Sequence, residues 1–422
     1  MRGLASQPRL TNRWLVLALI LGIALVNYAD RYLLSGLVGP IKTEFGLTDS
    51  FMGLLMGPAF ALIYTVAAVP IARLADRTSR IAVICAGCII WSLFTAVTAL
   101  AHDGLTLALA RVGVGVGEAA FQAPAAALIA AYFPAHQRTR ALAMMSSAIY
   151  LGQMLGMAGG PAIAAQHGWR AAFELLGAVG IAIAVTAWLV IREPAHEPGD
   201  KASRVPLARL AVEFARVPSL RNMTLAMALG TLSGVTFGMW GPALFERAYG
   251  LSNAAAGKAF GLAFGLPGLL GMLAFGVIAD RLAKRDPSWP LKLTALALAA
   301  ATASVLIVTW MPRIALAEAM AIPSGLLGGG WSVGIVASLQ YVLPERHRST
   351  GTAMALLVIG LFGNFIGPWS TGLLSDLLGD AADSAWGLRA GLSIIVPTGF
   401  IGAWLAWRAS LTLEKDQLAL SA

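Results

Sequence analysis

The chain has 422 residues, of which 58% are hydrophobic and only 12% charged, and its mean hydropathy is +0.75. Soluble domains carry about 25% charged residues, so this chain could not cover a globule of its size in water. The net charge of +9 invites a nucleic-acid reading. It is excluded because the charge alternates between loops and does not gather on one basic face.

Apolar stretches long enough to cross roughly 30 Å of hydrocarbon recur near 14–39, 52–72, 81–100, 106–132, 141–165, 171–191, 223–244, 256–279, 291–311, 314–342, 351–375 and 388–408. Their length and their Gly, Ala and Leu content predict helices, not the alternating strands of a barrel. The expected fold class is an all-α membrane protein of twelve transmembrane helices. The first stretch is too long for a cleavable signal peptide, no small-residue cleavage site follows it, and it carries Asp30-Arg31 at its far end. With the N-terminus inside, 22 Lys and Arg fall in inner segments and six in outer loops, while Arg31 and Arg111 lie within spans. That bias predicts cytoplasmic termini and an inner (plasma) membrane location. Cys85 and Cys88 are read as two small residues on one face of the third helix, since no further ligands are near in sequence.

The chain repeats itself. Leu74-Ala75-Asp76-Arg77 returns as Ile278-Ala279-Asp280-Arg281, 204 residues on. Gly39-Pro40 and Glu44-Phe45-Gly46-Leu47 return as Gly241-Pro242 and Tyr249-Gly250-Leu251. Pro134 to Arg138, leading to Met144, returns as Pro344 to Arg348, leading to Met354, and Gly156…Gly160-Pro161 as Gly363…Gly367-Pro368. All offsets lie between 202 and 210. The expected organisation is therefore two pseudo-symmetric six-helix bundles, 1–191 and 221–422. A polar cytoplasmic linker, 192–220, joins them, with a short surface helix around 206–216. The Gly…Gly-Pro phrases put small residues four apart, the spacing that lets helices approach closely and bend.

Four ionisable residues sit well inside the spans: Asp30, Arg31, Arg111 and Glu118. Each costs about 2.5–3.5 kcal/mol at a helix centre on insertion scales, so they must be paired or hydrated. Arg111 and Glu118, seven apart, share one face with about 10.5 Å of rise between them. Asp30, at an intermediate depth on another helix, is placed to bridge to Arg111. The four charges sum to zero, and all lie in the first half. A carboxyl whose proton affinity depends on whether an arginine faces it is a physical basis for proton coupling. Tyr28, Asn27, Gln122, Tyr150 and Gln153 are candidates to line the same cavity, and the second half offers Trp240, Trp331, Gln340 and Asn364. Glu174 and Glu318, near outer helix ends, read as solvated carboxylates. The glycines around Arg111 lie in an apolar span with no preceding strand, so they form no nucleotide site.

The pattern resembles the major facilitator superfamily across essentially the whole chain. Ala72-Arg-Leu-Ala-Asp76-Arg77-Thr-Ser-Arg80 resembles that family's loop signature between spans 2 and 3, with Ala where Gly is usual. Gly276-Val-Ile-Ala-Asp280-Arg281-Leu-Ala-Lys284 is its second copy. The resemblance implies gating: Asp76 would meet a helix N-terminus and basic groups of the opposite half when the inner gate is closed.

Asn27-Tyr28-Ala-Asp30-Arg31, Trp91-Ser92-Leu-Phe-Thr95, Arg111-Val-Gly-Val-Gly-Val-Gly-Glu118-Ala119 and Gly168-Trp169-Arg170-Ala-Ala-Phe173 narrow the likeness to the spinster-like branch. The anion:cation symporters of sugar acids are the second choice. The resemblance implies a proton-coupled, monomeric secondary transporter working by alternating access on an amphiphilic or lipid-like solute. Asp30 and Glu118 would be the protonated carboxylates, and Arg111 their partner or an anion anchor. No enzyme, metal or cofactor is expected. His102, His136, His167, His196 and His347 all fall in loops or at span ends, and a sensor would need a signalling domain for which there is no room.

Overall fold

The computed structural model describes residues 11–194, 212, 214–343, 358, 360–380 and 383–421. Among these the chain is helical, without a strand, and 10 helices are long and apolar enough to cross a membrane. They open with Arg13–Gly36, Asp49–Arg77, Arg80–Thr98 and Gly104–Tyr132. The spans expected at 141–165 and 171–191 form one run, His136–Val190, which reverses at Gly168 (φ 82, ψ 159). The stretch expected at 351–375 is described from 358, and its helix Gly367–Leu377 has 11 residues. Most of the expected linker, the 206–216 helix and the Pro344–Arg348 phrase lie outside the described residues.

Local chemistry explains where helices start and stop. Gly46 and Gly250 end their helices in the left-handed conformation, each with φ 61, where a residue without Cβ is favoured. Two residues later Thr48 and Ser252 cap the next helix by accepting from Phe51 N and Ala255 N. The two corners are 204 residues apart, so the repeat in the sequence is also a repeat in backbone geometry.

The same offset marks irregular points within helices. Helix Asp49–Arg77 breaks at Gly57 (φ −111, ψ −97), and the helix after Asn253 widens into a π-turn at Gly261–Gly265. Further π-turns lie at Leu155–Gly159 and Gly360–Ile366. Here the two halves of the chain meet backbone to backbone. A Cβ on Gly53 would lie 2.4 Å from Pro368 O, and one on Gly57 2.8 Å from Phe365 O. In the second seam a Cβ on Gly257 would lie 2.2 Å from Met157 O. Without a hydrophobic force between helices in lipid, such close packing is what holds them together.

One apolar cluster is built around Ile20, Trp91 and Phe121 from the first half, and another around Met223, Leu291 and Leu413 from the second. A third mixes the halves, setting Leu33, Met52 and Phe173 against Trp240, Phe245 and Phe260.

Candidate functional site

Asp30 and Arg31 are neighbours on helix Arg13–Gly36, and Arg111 and Glu118 lie seven apart on helix Gly104–Glu118. The glycines of the second helix let helices Pro58–Arg77 and Arg80–Thr98 pack close against it. A Cβ on Gly115 would lie 2.7 Å from Phe60 O, and one on Gly117 2.5 Å from Trp91 N. The four charges form two crossed pairs, in each of which one helix gives the acid and the other the base. Arg111 Nη1 lies 3.1 Å from Asp30 Oδ1, and Arg31 Nε 2.6 Å from Glu118 Oε2. Side-chain exposure is 1% for Asp30, 2% for Arg111, 0% for Glu118 and 12% for Arg31. Thr95 Oγ1 donates to Asp30 Oδ2. The Arg31 guanidinium lies 5.4, 4.8 and 4.9 Å from the ring centroids of Tyr28, Phe60 and Tyr64, a setting that favours a cation.

Pairing satisfies only part of this cluster. Glu118 Oε1, Arg31 Nη2, Arg111 Nε, both Asn27 amide atoms, Trp91 Nε1 and Ser92 Oγ are buried without a hydrogen-bond partner. Polar atoms in this position are ordinarily served by water.

A cavity of about 240 Å³ lies between the halves. Tyr32, Tyr150 and Gln153 face it from the first half. Most of its wall comes from the second half, including Ser233, Phe237, Phe264, Thr302, Ser324 and Trp331. Of the expected lining residues, Tyr150, Gln153 and Trp331 are there. The others are placed elsewhere. Gln122 Nε2 donates to Tyr28 Oη at 2.6 Å, and neither residue is on the cavity wall. Asn27 is fully buried. Trp240 is also fully buried, in the apolar cluster that mixes the halves, and its Nε1 donates to Pro368 O at 2.9 Å, so it does not line the cavity. Asn364 is half-buried in the seam, its carbonyl facing Gly57. Gln340 sits near the end of helix Ile314–Val342, away from the cavity wall. The sequence reading missed Tyr32 and the small polar wall residues. Their single signal was hydroxyl and glycine content at helical spacing, which ordinary packing also produces.

A third group joins the halves at one end. Arg247 Nη1 and Nη2 donate to Asp49 Oδ2 and Oδ1 at 2.6 and 2.7 Å. Lys42 Nζ and Ser375 Oγ donate to the same carboxylate at 2.5 and 2.7 Å. Asp376, from the opposite half, caps the helix start by accepting from Asp49 N at 2.9 Å and Ser50 N at 2.7 Å. Asn253 Nδ2 donates to Gly36 O at 2.7 Å, and Ser35 Oγ to Met239 O. Residues 11 and 416 lie at the other end, where Thr11 Oγ1 donates to Val190 O at 2.8 Å, Ser79 Oγ to Glu193 Oε2 at 2.7 Å and Ser219 N to Asp416 Oδ2 at 2.8 Å. At that end the gating candidates Asp76, Arg77, Asp280, Arg281 and Lys284 are exposed, and Arg80 is half-buried. The structure is thus sealed opposite the termini.

Comparison with known proteins agrees with this geometry. Residues 20–368 match the family model of the Major Facilitator Superfamily. An MFS-type efflux pump of Mycolicibacterium smegmatis is 34% identical over 405 residues, covering 96% of this chain and 94% of that protein. Protein spinster homolog 1 of Homo sapiens is 29% identical, over 86% of this chain and 73% of its own. A probable L-galactonate transporter of Escherichia coli is 31% identical over 62% of this chain and 60% of its own. The crystal structure of a bacterial homologue of the human lysosomal transporter spinster, inward-facing and occupied, superposes with a TM-score of 0.85 at 26% identity. It covers 96% of this chain and 98% of that one. The chain belongs to the Major Facilitator Superfamily of transporters and is similar to members of its spinster branch.

Proposed function

We propose that the protein is a proton-coupled secondary transporter that moves an amphiphilic or lipid-like solute by alternating access between two six-helix bundles, 1–191 and 221–422. The crossed pairs Asp30–Arg111 and Arg31–Glu118, buried in one half beside a cavity shared by both, carry this reading. Each carboxylate is neutralised by an arginine from another helix. If the helices shift and the arginine withdraws, the carboxylate is left in a low-dielectric site and takes a proton. Proton occupancy is thereby tied to conformation. The sealed end, and the likeness to a structure described as inward-facing, support a conformer open towards the termini, which this reading places in the cytoplasm. Asp76 and Asp280 would then engage only when that side closes. The protein acts as a monomer in the plasma membrane. The L-galactonate transporter likeness favours a second reading, symport of a small organic anion such as a sugar acid.

The test is Glu118→Gln in proteoliposomes. Uptake driven by a pH gradient should disappear while solute exchange at equal pH persists. Gradient-driven accumulation by the variant at the wild-type rate would refute the coupling role. Loss of every activity together with unfolding would assign the quartet to helix pinning alone.

A further inference from the structure

The cavity wall is chemically one-sided. Among the described residues no charged side chain lines it, and the arginines of the paired cluster, Arg31 and Arg111, hold Glu118 and Asp30. Four of its hydroxyls have already donated their protons to backbone carbonyls. Thr231 Oγ1 donates to Met227 O at 2.6 Å and Thr302 Oγ1 to Leu298 O at 2.7 Å. Ser324 Oγ donates to Ala321 O at 2.8 Å and Tyr150 Oη to Gly329 O at 3.0 Å. What these oxygens still offer is lone pairs. Four further polar groups on the wall make no side-chain hydrogen bond among the described residues: the hydroxyls of Tyr32, Ser233 and Ser332 and the amide of Gln153. Gln153 and Ser233 are the most buried of these residues, 3% and 4% exposed. Gln153 Nε2 comes within 3.3 Å of where a Cβ on Gly238 would lie, so the amide reaches across to the second half. Phe237, Phe264 and Trp331 supply apolar faces beside these groups.

We infer that this cavity selects a solute whose head is uncharged and both donates and accepts hydrogen bonds, such as a hydroxyl or amide group on an apolar body, and that Gln153 and Ser233 hold that head. This deepens the amphiphile reading above and rests on it. A carboxylate or phosphate would give up its hydration to a wall without a charged side chain among the described residues, and neutral hydroxyl and amide donors do not replace a counter-charge. An ammonium finds lone pairs but no counter-charge. A hydroxyl head finds partners and leaves no charge buried. The volume of about 240 Å³ exceeds the roughly 150 Å³ that holds a benzene ring in an engineered cavity. A head and a short apolar segment therefore fit, and a longer chain must extend beyond the cavity.

The experiment compares octyl glucoside, octanoate and octylammonium, which share one chain length, by calorimetric titration of the full protein in nanodiscs, with empty discs subtracted. Octyl glucoside should bind about tenfold more tightly than either ion. Losing one or two such hydrogen bonds is worth about 1–2 kcal/mol, a factor of about 5–30. Gln153→Met and Ser233→Ala, singly and together, should weaken the glucoside by about that factor and leave octanoate unchanged. Tighter binding of either ion than of the glucoside would overturn the inference, as would variants that are folded by thermal melt and bind all three probes like wild type. Proton-driven flux of the probes is read separately. Gradient-driven movement of octanoate with no head preference would sink this inference and keep the transport reading. A clear glucoside preference without proton-driven flux of any probe would support the inference and sink that reading.

Discussion

Arg247→Ala should open the sealed end. Arg247 makes two short charge-assisted bonds to Asp49, with side-chain exposures of 15% and 4%. Stripping a buried carboxylate of its sole partner costs about 3–5 kcal/mol. Here Lys42 Nζ at 2.5 Å and Ser375 Oγ at 2.7 Å stay on Asp49, so the expected loss is about 2 kcal/mol. That shifts the balance between sealed and open conformers roughly 30-fold, moving a 99:1 population to about 3:1. Spin labels at Thr43→Cys and Lys258→Cys report it by pulsed electron resonance, since both positions are exposed and lie in opposite halves at that end. Cys85 and Cys88 are buried and should not compete for label. The variant should gain a second, longer distance population. Lys42 lies in the same half as Asp49, so Lys42→Ala removes no contact across the seam and should not add the longer population. An unchanged distance distribution in folded Arg247→Ala protein would refute the argument that this network holds the end closed.

Further outcomes follow from single contacts. Gly257→Val should abolish transport without loss of membrane insertion, because its Cβ would sit 2.2 Å from Met157 O, a backbone atom with nowhere to go. Gly159→Ala, with nothing within 4 Å, should be silent in the same flux assay. Gly168 occupies φ 82, ψ 159, a region nearly closed to other residues, so Gly168→Ala should cost about 1–3 kcal/mol and lower the melting temperature. The Glu44 carboxyl, outside the spans, is held below its ordinary value by Trp169 Nε1 at 2.6 Å and by Arg170. A depressed carboxyl stabilises the fold above the ordinary carboxylate range and loses that contribution as pH falls through its folded value. The melting-temperature gap between wild type and Glu44→Gln should therefore be flat near neutrality and close on acidification. A gap that widens in acid would contradict it.

Much of the fold was legible because length and apolarity leave the lipid-embedded backbone no choice but helix. The 204-residue echo was legible too, since Gly46 and Gly250 need the same left-handed corner. Boundaries drifted where polar ends continue the helix, as at Asp49–Arg77 against an expected 52–72. The Asp30–Arg111 approach followed from depth alone. The Arg31–Glu118 pair did not, because the direction of residue 31 about its axis depends on how the helices are rotated against each other. Trp240 misled because its indole looks like a cavity face, and only the fold shows that Pro368 O takes its N–H. Lys42, Asp49, Arg247 and Asp376 carry no signal in the sequence beyond a charge near a helix end. Their partnership spans up to 327 residues, which no local pattern records.

The cavity wall belongs mostly to the second half of the chain, and the crossed acid–base pairs entirely to the first. On the reading proposed here, cargo and proton never compete for a common ligand, and they communicate only through the movement of one half against the other. Cargo preference can then be altered at Ser233, Thr302 or Ser324 with the energy source untouched. A transporter wired in this way is open to re-tailoring for new solutes without relearning how to use the gradient.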